Sequence, residues 1–149
     1  MTPLDRDVLA ERVSAVERHL ARVEAKLPAT PEGFTAATDA ADAVLLHLWL
    51  AVQIVIDLAV ALCVRLTLGA PASYGEAFER LAKAGHLEQG LAVRLAKAAG
   101  FRNLVAHAYE SVDMLRVYDA ALHGPADLRA FLRVARHLSA AGAGSADKP

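Results

Sequence analysis

"AVLLHLWLAVQIVIDLAVALCVRLTLG", residues 43–69, is the stretch on which the fold turns. It is apolar almost throughout and long enough to cross a bilayer as a helix. It also carries His47, Gln53, Asp57 and Arg65, with Asp57 near its middle. An ionised carboxylate at the centre of a bilayer is costly. A helix enclosed on nearly all sides by other helices accounts for the same run without that cost. We read it as the central helix of a bundle, with no membrane involved.

The rest of the composition agrees with this reading. The chain has 149 residues, 55% of them hydrophobic, which is enough for one domain with a real core. Aromatics are only 5%, and Ala and Leu dominate, which favours helix over sheet. The formal net charge of −1 excludes a basic arm or a long phosphate-tracking groove. Any nucleic-acid chemistry must therefore use a small local site. The single cysteine, Cys63, excludes an intramolecular disulfide and a multi-cysteine zinc site, and it reads as a buried structural thiol. The N-terminal "MTPLDRDVLAERV" is charged from the start and lacks a secretory pattern, so a cytoplasmic location is expected.

Helix signals recur along the chain. Leu9, Val13, Val16, Leu20, Val23 and Leu27 alternate by four and three, the seam of a first helix over about 4–27. Thr2 and Pro3 suit its N-cap and N1 positions, and Pro28 and Pro31 end it. The greasy helix is expected from about Thr38 to Gly69. "SYGE", Ser73–Glu76, reads as a capping box opening a third helix that closes at Gly85. A fourth runs from about Leu87 to Ala99, with a break or kink at Gly100. A fifth runs from Phe101 to about Leu122, stopped by Gly124 and Pro125, and a sixth from about Ala126 to Ala140. No strand alternation appears. The expectation is an all-α bundle of about five to six helices, two long ones first, in one domain over 1–141 with a flexible tail over 142–149.

The fifth of these helices contains "FRNLVAHAYES", residues 101–111. On a wheel of about 100° per residue, Leu104, Val105, Ala108, Val112 and Leu115 share an arc expected to pack. Arg102 and Tyr109 lie two turns apart on nearly one side. Asn103, His107 and Glu110 form an adjacent stripe. Arg102 and His107 are about 140° apart, so they do not grip one small group unless their side chains converge, the helix start is distorted, or a second copy of the helix takes part. The residue types suit metal-independent RNA cleavage: His exchanging protons near neutral pH, Arg holding a phosphate. An ordinary solvated helix face would offer the same residues, and pattern alone leaves both readings open.

"RNLVAHAY" is spaced as R-x4-H-x-Y, and with it the chain resembles HepT-like proteins of the HEPN superfamily. "IDLA" in the apolar helix, "SYGEAFERLAKAG" and the lead-in "KAAGFRNLVAHAY" carry the same resemblance, which extends over about 4–138. It implies a HEPN-type helical bundle and a ribonuclease toxin of a type VII toxin–antitoxin pair. Arg102 and His107 would be catalytic at the cleft of a homodimer, with Asn103 in support. The implied antitoxin is a minimal nucleotidyltransferase that transfers AMP from ATP onto Tyr109 and silences the toxin. RNA is the implied substrate, and neither a metal nor a cofactor is implied. An adenylylated Tyr109 would place a phosphate on the helical side of Arg102 and obstruct RNA. The alternative is a non-catalytic nucleotide-binding subunit of a two-component nucleotidyltransferase, in which the same residues bind without bond cleavage.

The remaining polar residues read as structural. Asp57 needs a partner if buried, with Arg102 or Arg65 as candidates. Glu110 and Asp113 read as rim charges. His47 and His86 lack ligand-spaced neighbours, while His19, His123 and His137 read as surface residues. Trp49 and Phe101 are expected in core or dimer packing.

Overall fold

The computed structural model describes residues 5–146, and no side chain at 108, 110 or 141–146. Among the described residues there are five α-helices and no strand: α1 (Arg6–Lys26), α2 (Asp39–Arg65), α3 (Tyr74–Lys83), α4 (Gln89–Ala108) and α5 (Met114–Ala146). The expected N-cap, Thr2 and Pro3, lies outside the described residues. Asp5 fills that role instead, accepting from the Val8 amide at 2.8 Å. The seam of α1 is as expected, with Leu9, Val13, Val16, Leu20 and Val23 all buried. Its packing partner is α2, and the helix stops at Lys26, two residues before Pro28.

α2 is the central element and packs against all four other helices. Leu48, Val55, Ile56, Leu58 and Leu62 are fully enclosed, and Cys63 is buried with its Sγ donating to the Ala77 carbonyl at 3.4 Å. Among the described residues α2 alone is long and apolar enough to cross a membrane, and half of its most apolar stretch is enclosed by the bundle. Asp57 is exposed and accepts from the Gln53 amide at 2.9 Å. The expectation of a buried Asp57 requiring Arg102 or Arg65 is therefore replaced by an exposed carboxylate.

α2 ends at Arg65, four residues before the expected Gly69. Thr67 adopts the left-handed conformation (φ 56°), and two reversed bonds close the helix: Thr67 N–H to Val64 O and Leu68 N–H to Cys63 O. Gly85 (φ 83°) ends α3 in the same way, as its sequence position predicts. The capping box also forms. Ser73 Oγ accepts from the Glu76 amide at 3.2 Å, and Glu76 reaches back one residue further than expected, to the Ala72 amide at 2.6 Å.

Two expected breaks are absent. α4 continues through Gly100, whose absent side chain would meet nothing within 4 Å. A lone exposed glycine costs a helix about 1 kcal/mol and does not end it. α5 runs through Gly124 and Pro125. The clash that usually keeps the residue before proline out of a helix involves that residue's Cβ, and Gly124 has none. Gly124 softens the second stop signal without removing the lost Pro125 backbone bond, the helix continues, and six expected helices become five among the described residues. The real interruption lies at Tyr109–Asp113: a single 3-10 turn, then Asp113, whose carboxylate accepts from the Leu115 amide at 2.9 Å and caps α5. Asp113 is thus a structural cap rather than a rim charge.

Candidate functional site

Because the break follows residue 108, the polar segment is the last two turns of α4, not the first two turns of a separate helix. The wheel of that segment holds only in part. Val105 is buried and Val112 is half-buried, but Leu104 is 42% exposed and Leu115 65% exposed. The expected packing arc therefore does not pack as a unit. Its two ends belong to different helices.

What the tertiary structure adds is a register between α2 and the end of α4. The two run antiparallel, so residues one heptad apart on each face each other in pairs. Arg102 meets Trp49, its guanidinium carbon 4.8 Å from the ring centroid. One heptad on, the Tyr109 hydroxyl donates to Asp42 Oδ1 at 2.9 Å. Between these pairs, Leu45, Leu46, Val105 and Ala106 floor an open hollow of about 490 Å³. A second hollow of about 330 Å³ lies beyond Tyr109, between Ala37, Ala41, Val112 and Met114.

Arg102 is half-buried and bound by rings rather than by a carboxylate. Trp49 covers it, Tyr74 of α3 lies 5.7 Å away, and Nη1 donates to Asn103 Oδ1 at 3.1 Å. It forms no ion pair among the described residues, and its buried Nε has no protein partner. Aromatic faces hold a guanidinium through their quadrupole without neutralising its charge. The result is a positioned cation with donors to spare, which is what binding a phosphate requires. Trp49, expected in packing alone, thus also orients this arginine.

Tyr109 is 51% exposed, so its ring borders both hollows while its hydroxyl is tied to α2. Accepting that hydrogen bond, the Asp42 carboxylate holds the phenol above its ordinary range; partial burial and the nearby negative charge act in the same direction. His107 is exposed and does not line the groove. The structure therefore links Arg102 to Trp49 and Tyr109 to Asp42 along α2, ties Asn103 to Arg102 by a side-chain bond, and leaves His107 off the hollow, in line with the separation of about 140° between Arg102 and His107 on the wheel. Glu110, expected at the rim, has a side chain outside the described set.

Sequence reasoning missed Asp42 and the ring partners of Arg102. Asp42 lies 67 residues from Tyr109, in the first turn of α2, where an acidic residue reads as a response to the helix dipole. The heptad spacing of Asp42 and Trp49 matches that of Arg102 and Tyr109, but only the pairing of the two helices makes the match meaningful. His19 also departs from the surface position expected of it. It is partly buried against His47 of α2, with the two Nδ1 atoms 3.0 Å apart and the rings tilted by 33°. One ring must donate and the other accept. Burial first, then His47 and Arg18, hold His19 below its ordinary value.

Among the described residues, four helices around a central apolar one, with an arginine–aromatic pair near the end of α4, make a HEPN-type helical bundle. A family model described as Ribonuclease HepT-like matches residues 16–135, most of the chain, and the chain belongs to the HepT-like family. Among solved structures, it is similar to a tri-AMPylated Shewanella oneidensis HEPN toxin in complex with MNT antitoxin. That match is 24% identical with a TM-score of 0.80, over 89% of this chain and 98% of the other. A toxin–antitoxin with AMP-PNP matches at 23% identity and a TM-score of 0.81, over 89% and 99%. A mutant MntA–HpeT toxin–antitoxin matches at 25% and 0.78, over 89% and 99%. No curated protein matches the chain.

Proposed function

We propose that this protein is the toxin of a toxin–antitoxin pair, a metal-independent endoribonuclease silenced by adenylylation of Tyr109. The observation that carries the reading is the state of Arg102. Its guanidinium is held by Trp49 and Tyr74 with no carboxylate partner among the described residues, and Trp49 also lines the hollow that ends at the half-exposed Tyr109. In this reading Arg102 binds the scissile phosphate and stabilises charge building on it. His107 exchanges the proton with the attacking ribose 2′-hydroxyl. Asn103 steadies the guanidinium through the bond it accepts.

His107 and Arg102 point apart on one helix, so the complete site forms at a cleft between two copies. The partner is a minimal nucleotidyltransferase that moves AMP from ATP onto the Tyr109 hydroxyl. The added phosphate and purine enter the hollow lined by Trp49, the ring that holds Arg102, where they compete with RNA for the guanidinium.

Expression alone, followed by co-expression with the neighbouring transferase, tests this. The wild type should arrest growth and cleave RNA in the presence of a chelator, and His107→Ala should relieve both while keeping the helical spectrum. Intact mass after co-expression should rise by whole AMP units in the wild type and not in Tyr109→Phe. A harmless wild type that cleaves no RNA would sink the proposal.

A further inference from the structure

We infer that Asp42 is the proton acceptor for Tyr109 when its hydroxyl is adenylylated. The inference rests on the reading above that Tyr109 is the modified residue. It adds that the toxin itself supplies the base for the reaction that silences it.

The geometry carries the point. Asp42 Oδ1 lies 2.9 Å from Tyr109 Oη, the atom that must become the nucleophile. Among the described residues, Asp42 is the only carboxylate lining either hollow beside Tyr109. It forms no ion pair among the described residues, so no cation competes for its lone pairs. Its backbone is fixed within the first turn of α2, where Thr38 caps the helix by accepting from the Ala41 amide and the Asp42 amide donates to the Thr38 carbonyl at 3.0 Å. Tyr109 is fixed from the other side, at the point where α4 tightens into its 3-10 turn. Half of its side chain remains open to a nucleotide delivered from outside.

The chemistry balances with a nucleoside triphosphate as co-reactant. The Tyr109 Oη–Pα bond forms and the Pα–O bond to the β-phosphate breaks. Pyrophosphate leaves with the bonding electrons, and the phenolic proton passes to Asp42 and then to solvent. A phenol held above its ordinary range keeps its proton until attack, so a positioned acceptor lowers the barrier at that moment. The product is an aryl phosphodiester with no hydrogen to donate. The bond to Asp42 is lost, and the new phosphate faces a carboxylate. Like charges at this distance repel, which drives the adenylyl group along the groove and away from Asp42. The modification thus removes the contact that prepared it.

Initial rates of AMP incorporation, measured by intact mass with the purified transferase, ATP and magnesium, test this on the full chain. Asp42→Asn keeps an oxygen to accept the hydrogen bond but is too weak a base. It should lower kcat by at least about 100-fold while KM for the toxin stays within about twofold. Asp42→Glu keeps the carboxylate and should retain more activity than Asp42→Asn. Thermal melts of both variants separate this from unfolding, and a melted Asn variant leaves the Glu-against-wild-type rate as the deciding measurement: Glu activity below a hundredth of wild type would then count against the base. Wild-type kcat in Asp42→Asn, or a loss confined to KM, overturns the inference while leaving Tyr109 as the acceptor. A wild type that gains no AMP from an active transferase overturns the underlying reading and this inference with it.

Discussion

Removing the ring beneath Arg102 should loosen the guanidinium by an amount that can be calculated. Its carbon lies 4.8 Å from the Trp49 centroid, inside the range in which a cation is attracted to the face, and Tyr74 adds a weaker contact at 5.7 Å. Such contacts contribute about 0.5–1 kcal/mol at exposed sites and about 2 kcal/mol when desolvated. Arg102 is half-buried, with Nε enclosed, so an intermediate value of about 1 kcal/mol is expected for the Trp49 contact. A double-mutant cycle isolates that value. Trp49→Leu removes the ring and Arg102→Met removes the charge while keeping much of the stem, so each single variant also loses some packing. The two losses should fail to add: the double variant should be more stable than their sum predicts by about 1 kcal/mol, a factor of about five in the unfolding constant. Urea unfolding followed by far-UV circular dichroism measures it, since Trp49 is the chain's single tryptophan and the variants lack that fluorescent probe. Losses that add within about 0.3 kcal/mol would refute the idea that this ring holds the arginine.

Three further outcomes follow from the structure. Thr67→Gly should raise stability by about 0.5 kcal/mol and lift the melting temperature, because the relief of a left-handed β-branched residue outweighs the greater freedom of glycine in the unfolded chain; a lowered melting temperature would contradict this. His19 has its folded pKa below its unfolded value, so the unfolded chain takes up the proton first; its contribution is full above the ordinary value of 6.5 and is lost as pH falls below it. Urea midpoints for wild type and His19→Gln should therefore differ more at about pH 7.5 than at about pH 5.5. Arg129 ties α5 to α1 through two bonds to Glu24, at 2.7 and 3.1 Å, and one to Glu17 at 3.1 Å. All three side chains are partly solvated, so Arg129→Ala should cost only about 1 kcal/mol, and the difference should shrink in high salt; a salt-independent loss would point to packing instead.

Local patterns were legible because the physics behind them is local. The α1 seam, the Ser73 cap and the Gly85 terminus depend on residues within one or two turns, and all three form as read. The misreadings arose where two local signals interact. Gly124 before Pro125 reads as a double stop, yet α5 continues through both; the glycine removes the Cβ part of the clash with the proline ring, and packing of the helix outweighs the lost backbone bond. Asp113 before an apolar run is an N-cap signal that the catalytic reading of its neighbours obscured.

By itself, then, the sequence determined the helices' periodicity, the central place of the apolar one and the motif residues Arg102, Asn103, His107 and Tyr109. Side-chain spacing and hydropathy suffice for these, since they depend only on helix geometry and the avoidance of water. The tertiary structure decided what each motif residue touches. Trp49 under Arg102 and Asp42 on Tyr109 come from a helix far away in the chain, brought into antiparallel register by burial of the core beneath them. No periodicity within one segment encodes that register, because it is set by how the apolar faces of two helices interlock.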